Sequence, residues 1–180
     1  LGVVASILAS AFLPASAHAY YAPLNHLSEP MALPPVTLMD KEGKKKPVHG
    51  INKPLTIIHL WATWCPPCVQ ELPSVDWMAR KFSSLGLEVV AVSMDGQAKV
   101  EKVKDFYKKH SITHLPLLFA GSDPLSRIFA IKSMPTTLFV VDGDIIARAD
   151  GVLDWQSQEI KQLVMTSLAV GGRFPASAQG

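Results

Sequence analysis

The stretch that decides the fold is Thr56-Ile-Ile-His-Leu-Trp-Ala-Thr-Trp-Cys-Pro-Pro-Cys68. Its first half is nearly all apolar and rich in β-branched residues, as in a strand buried on both faces. Its second half carries Cys65 and Cys68, the only two cysteines in the chain. Beyond them Leu72, Val75, Trp77–Ala79, Phe82 and Leu85 recur at helical spacing, and Gly86 supplies a stop. Pro66 falls where a helix tolerates proline, because the missing N–H would be unpaired there. Pro73 lies inside the same helix and is expected to kink it by removing a hydrogen bond. A buried strand thus runs into a helix, with two thiols at the junction.

Downstream the pattern alternates. Leu87–Ser93 reads as a strand, and Val100, Val103, Phe106 and Tyr107 mark an amphipathic helix. Leu115–Phe119 reads as a short strand, followed by a short helix at Leu125, Ile128 and Phe129. Thr136–Val141 and Ile145–Ala149 flank Asp142-Gly-Asp144, a hairpin signal. Asp154 is expected to cap a last helix carrying Ile160, Leu163, Val164 and Leu168. Upstream, Val36–Met39 is a strand candidate, and residues 20–35 read as an extended lead-in without sustained period. Alternating strands and helices imply parallel strands with covering helices, to which the hairpin adds an antiparallel edge. The expected fold class is an α/β sandwich.

Composition narrows the setting. With 180 residues, 48% hydrophobic and 18% charged, the chain is an ordered globular one with room for one full core. A net charge of +2, with no basic patch interleaved with aromatics, does not suggest nucleic acid. The densest basic run, Lys44-Lys45-Lys46, reads as a solvated turn. Leu1–Leu13 is apolar or small, and Ala17-His-Ala19 has the pattern of a signal-peptidase site. That apolar run falls short of the roughly 20 residues a bilayer span needs. Residues 1–19 are therefore expected to be a signal peptide, or an anchor if a longer start precedes them. The domain would occupy 36–170 and 171–180 would be a loose tail. The folded part is expected to be exported, to a periplasmic or other extracytoplasmic setting where disulfides persist.

The cysteine pair has three readings. Zinc wants four compactly spaced ligands, yet about 41 residues separate Cys68 from His110-x-x-x-His114. Cu(I) suits two thiolates and remains open as a copper-carrier alternative. A structural staple closing so small a loop removes little entropy from the unfolded chain. Redox exchange fits the local pattern. Cys65 starts the helix, where the dipole favours a thiolate, and Cys68 lies one turn further in, able to resolve a mixed disulfide.

On these residues the chain resembles the thioredoxin superfamily, and within it the exported TlpA/ResA-like thiol:disulfide oxidoreductases. The resemblance runs from about Val36 to Leu168 and rests on Trp64-Cys-Pro-Pro-Cys68, Glu71, the kinking Pro73 and Met134-Pro135-Thr136. It implies a three-layer α/β/α sandwich with a mixed sheet, and a strand–helix insertion (115–130) before a cis-proline strand. It also implies catalytic roles for Cys65 as attacking thiol, Cys68 as resolving thiol, Glu71 as acid–base and Pro135 as groove former. Trp64, Met134 and Thr136 would meet the substrate.

Three positions depart from the family pattern. His59 stands where thioredoxins often carry a buried acid, Met134 where β-branched residues are frequent, and Thr136-Thr137 where cytochrome c maturation reductases have Pro-Glu. No bound cofactor is expected beyond the redox-active disulfide itself. The expected partners are thiols and disulfides of exported proteins, and a membrane electron donor of the DsbD/CcdA kind. A lone-cysteine peroxidase is a poorer reading, since Thr63 stands beside a paired motif. Pro66 and Pro67 offer no N–H to a Cys65 thiolate, which points to a reductant rather than an oxidant or isomerase.

Overall fold

A computed structural model describes residues 21–48 and 53–171 of the chain. The expected signal segment (1–19) and all but the first residue of the expected tail (171–180) lie outside these. In chain order the elements are β1 (Asn25–Ala32), β2 (Val36–Asp40), β3 (Lys45–Val48), β4 (Leu55–Trp61), α1 (Pro66–Phe82), β5 (Leu87–Ser93) and α2 (Val100–Lys109). They continue with β6 (Leu118–Ala120), α3 (Leu125–Ile128), β7 (Thr136–Val141), β8 (Asp144–Asp150) and α4 (Gln158–Ala169).

The strands form one mixed sheet in the order β1-β8-β7-β4-β5-β6-β2-β3. β4 is the central strand in the physical sense: every one of its residues is buried. It pairs in parallel with β5 and antiparallel with β7. Helices α1, α2 and α4 pack on one face through Leu72, Val75, Met78, Val103, Ile160 and Val164. The other face packs Ile58, Leu60, Val90, Val92, Leu138 and Val140 against Leu125 and Phe129 of the α3 region. With helices on both faces, residue polarity along β4 cannot alternate; that is why the strand reads as one apolar run.

The β7–β8 hairpin turns through Asp142 (φ 53°) and Gly143 (φ 86°). Two left-handed residues match the twist of a two-residue hairpin loop, and Asp-Gly is among the few pairs that accept it. α1 runs through Pro73 as one helix, with Pro66 and Pro67 in its first turn.

Several local readings are corrected. Lys45 and Lys46 are not in the turn but on edge strand β3, antiparallel to β2, with their side chains exposed. Residues 25–32 of the expected lead-in form β1, which hydrogen-bonds to β8 at the opposite edge. Both edge strands are largely solvated, so neither shows the alternation by which half-buried strands are found. β6 starts at Leu118 rather than Leu115, because the N–H groups of Thr113, His114 and Leu115 all donate to Asp76 Oδ1 (3.0, 2.7 and 3.1 Å). The cap of α4 is Ser157, whose hydroxyl accepts the Ile160 N–H at 3.2 Å. Asp154 instead closes the preceding turn by accepting the Gln156 N–H at 3.0 Å.

Candidate active site

β4 delivers Trp61 to the end of the sheet, and the chain turns into α1 within four residues. Cys65 is the residue that caps α1. Its backbone is extended (φ −102°, ψ 100°) and its Sγ accepts the Cys68 N–H at 3.3 Å. The cysteines are joined as a disulfide, with Cα atoms 5.3 Å apart. Cys68 is fully buried and Cys65 almost so, while Trp64, Pro66 and Pro67 beside them are exposed. Cys65 is therefore flanked by an exposed apolar patch, and Cys68, one turn later, is enclosed in the core. Because Pro66 and Pro67 have no N–H, the Cys68 amide is the first in the helix able to reach Cys65 Sγ.

The register of the sheet brings the second loop to the same place. Thr136 pairs with Leu60, so the start of β7 lies beside the end of β4. The Met134–Pro135 peptide bond there is cis, and Pro135 is buried. Met134 is half-buried against the apolar cluster that contains both cysteines. Thr136 points inward: it is fully buried, and its hydroxyl donates to Ser133 O at 2.7 Å and to Asp150 Oδ1 at 3.2 Å.

Glu71 follows Cys68 by one turn and is 4% exposed. Its Oε1 accepts the Leu153 N–H at 3.0 Å and the Trp155 indole N–H, whereas its Oε2 has no partner among the described residues. Burial pushes its carboxyl up to about 7, against the lowering pull of those two donors. Such a group exchanges its proton near neutral pH. Glu71 lines a cavity of about 450 Å³ between α1 and residues 152–156, with Tyr21 on its wall.

His59, in the middle of β4, is fully buried. Its Nδ1 lies 3.0 Å from Thr137 Oγ1, and its ring meets the Trp155 indole edge-on at 6.0 Å. Burial pulls its pKa down to about 3, so the ring is neutral at working pH. It therefore adds no positive charge to the field at Cys65.

Sequence reasoning missed the braces around this centre. Asp95 accepts the Thr63 N–H at 2.8 Å and the Thr63 hydroxyl, as well as the Ser93 hydroxyl at 3.0 Å, tying the loop before Cys65 to the end of β5. Trp155 and Leu153, which hold Glu71, are 84 and 82 residues away from it. The only sequence signal for them was an indole in a turn before a helix. The histidines of the zinc reading do other things. His110 stacks on Phe106, and His114 faces Asp76 at 3.5 Å. Among the described residues no group of three or more His, Cys, Asp or Glu is arranged to hold a metal ion.

Comparisons with known proteins agree with this fold and with the paired cysteines. The AhpC/TSA family matches residues 31–149. The chain belongs to that family. Within it the similar proteins are thioredoxin-like, bearing out the resemblance read from Trp64-Cys-Pro-Pro-Cys68. The thiol-disulfide oxidoreductase ResA of Oceanobacillus iheyensis is 32% identical over 131 residues, covering 72% of this chain and 62% of the relative, less than two thirds of its length. ResA of Bacillus subtilis is 26% identical over 137 residues, covering 76% of this chain and 75% of that one. Among solved structures, a thioredoxin-family thiol:disulfide interchange protein of Chlorobium tepidum superposes with a TM-score of 0.63 at 23% identity. That match covers 79% of this chain and 99% of the other, and shows a common fold. With paired cysteines in this setting, the domain is of the thiol:disulfide oxidoreductase type.

Proposed function

We propose that the protein reduces disulfides in other proteins outside the cytoplasm. The observation that carries this reading is the unequal setting of the two cysteines, Cys65 beside exposed Trp64 and Pro66 and Cys68 fully buried one turn on. In the reduced protein the Cys65 thiolate attacks a substrate disulfide, forming a mixed disulfide and expelling one substrate thiolate. Cys68 loses its proton and attacks the Cys65 sulfur, which re-forms the internal disulfide and releases the second substrate thiolate. Two electrons pass to the substrate, whose two sulfurs end as thiols. Glu71, one turn beyond Cys68 and titrating at about 7, accepts the Cys68 proton. His59, held neutral, plays no part as a cation.

Pro135 shapes the groove, and Trp64 and Met134 supply the apolar surface against which a partner chain lies. Thr136 supports that loop from below through its two inward hydrogen bonds. The oxidised protein must then be re-reduced by a dithiol donor, in an extracytoplasmic setting a membrane thiol transporter of the DsbD/CcdA kind. The names of the ResA relatives support the chemistry, and the apolar first residues support the compartment.

The reductant direction is supported by the supply of donors at Cys65 Sγ, which among the described residues is the Cys68 N–H alone. A thiolate with few donors is less stable, and the couple correspondingly less oxidising. The test is the potential of the Cys65–Cys68 couple against glutathione, run beside an insulin-reduction assay. A value near about −270 mV supports the reductant, and one near about −120 mV makes the protein an oxidant. No insulin reduction, with stoichiometric Cu(I) uptake by the reduced protein, would favour a copper carrier.

A further inference from the structure

The turn that grips Glu71 is itself held from the other side. Ala22 donates its N–H to Val152 O at 2.7 Å, one residue before the Leu153 amide that Glu71 accepts. Leu24 is buried in the same apolar cluster as the two cysteines. The chain then enters β1, which is laddered to β8. Between these anchors the segment crosses Gly151, whose φ of +135° places it where L residues are strained. A Cβ on Gly151 would lie 3.0 Å from the Ala22 methyl group, so the segment packs directly on the turn. Tyr21 and Glu71 line the same cavity, and the Oε2 of Glu71 is buried with no hydrogen-bond partner among the described residues.

We infer that residues Tyr21–Leu24 are a positioning strap, closing the cavity over Glu71 and keeping the proton-accepting end of its carboxyl dry. The inference rests on the reading of Glu71 as the proton acceptor for Cys68. A strap acts on Glu71 in two opposed ways. It keeps water from Oε2, which disfavours the charged form, and it steadies the Leu153 and Trp155 donors, which favour it. Burial is the larger of the two influences on Glu71. Opening the strap therefore lowers the pH at which Glu71 titrates.

The groups facing Glu71 leave that sign unchanged. Cys68 precedes it on α1, Trp155 Nε1 and the Leu153 amide donate from the turn, and Asp154 and Tyr21 line the cavity. His59 approaches only through the Trp155 ring and is neutral. No Lys or Arg lines the cavity among the described residues.

The experiment reads the carboxyl directly. The full chain is labelled with ¹³C at the glutamate side chains, and the Glu71 signal, identified by its loss in Glu71→Gln, is followed against pH in the oxidised protein. In Tyr21→Ala the Glu71 midpoint is expected to fall by about half a pH unit or more. In Tyr21→Phe, which keeps the ring as cover, it is expected to stay at the wild-type value. Tyr21 is about half exposed, so neither change threatens the fold. An unchanged midpoint in Tyr21→Ala, or an equal shift in Tyr21→Phe, overturns the strap. Failure of the proton-acceptor reading is a separate outcome: disulfide exchange would then be indifferent to Glu71→Gln, whatever the carboxyl titration does.

Discussion

Helix α1 carries two buried carboxylates, Glu71 and Asp76, and they are treated in opposite ways. Asp76 is fully engaged: Oδ1 accepts three successive backbone N–H groups and Oδ2 faces the His114 ring at 3.5 Å. Among the described residues Glu71 has two donors on one oxygen and none on the other. A carboxylate with a full set of donors is an anchor, and here it pins the loop between α2 and β6. A half-served one is held in place yet keeps an acceptor free. The difference teaches that burial does not by itself distinguish a structural acid from a chemical one. On the proposed reading of Glu71, the distribution of donors over its two oxygens does.

The sharpest break falls at the redox end of the same helix. Cys65→Ser should abolish disulfide exchange altogether. Cys68→Ser should leave attack intact and accumulate mixed disulfides with substrate proteins, visible on non-reducing gels. Adducts trapped by Cys65→Ser instead would reverse the two roles and remove the reason for placing a proton acceptor beside Cys68.

Asp76→Ala tests the anchoring half. Three backbone N–H groups lose their common acceptor, and stability should fall by about 3 kcal/mol in chemical denaturation, since each buried unsatisfied donor costs about 1–3 kcal/mol and part of the loop can hydrate. Exchange activity per folded molecule should be unchanged. A loss of activity without loss of stability would undo the contrast with Glu71.

Glu71→Gln should slow exchange roughly a hundredfold near neutral pH, at the low end of what a positioned acid–base group contributes. The variant should also lose the pH dependence centred near 7. Its stability carries a signed signature. A carboxyl raised from 4.5 to about 7 on folding binds its proton more tightly in the folded chain. It contributes stability fully present below about pH 4.5 and lost as pH rises through about 7. Relative to Glu71→Gln, the wild-type protein should accordingly lose on the order of 3 kcal/mol across that window, an upper figure for a single site; buried His59 acts in the opposite sense in both chains and cancels from the difference. Urea midpoints measured at several pH values decide it.

The path of the chain from strand to helix to hairpin was legible because its signals are local. Seven buried residues in a row at Leu55–Trp61, the helical spacing after Cys65 and the Asp142-Gly143 turn each state their conformation within a few residues. The same locality made the cysteine pair readable, since nucleophile, resolving thiol and helix start are contained in four residues. The edge strands Asn25–Ala32 and Lys45–Val48 were not legible, because a solvated edge leaves no periodic trace.

What the sequence by itself determined is the chemistry available: two thiols at a helix start, no N–H on the two residues between them, and a glutamate one turn on. Only the tertiary structure decided how that chemistry is tuned. It set Trp155 and Leu153 against Glu71 from more than eighty residues away, placed Tyr21 on the wall of the cavity that Glu71 lines, and neutralised His59 by burial. Solvation and donor supply depend on groups gathered from the whole chain, and a proton affinity is the sum of both.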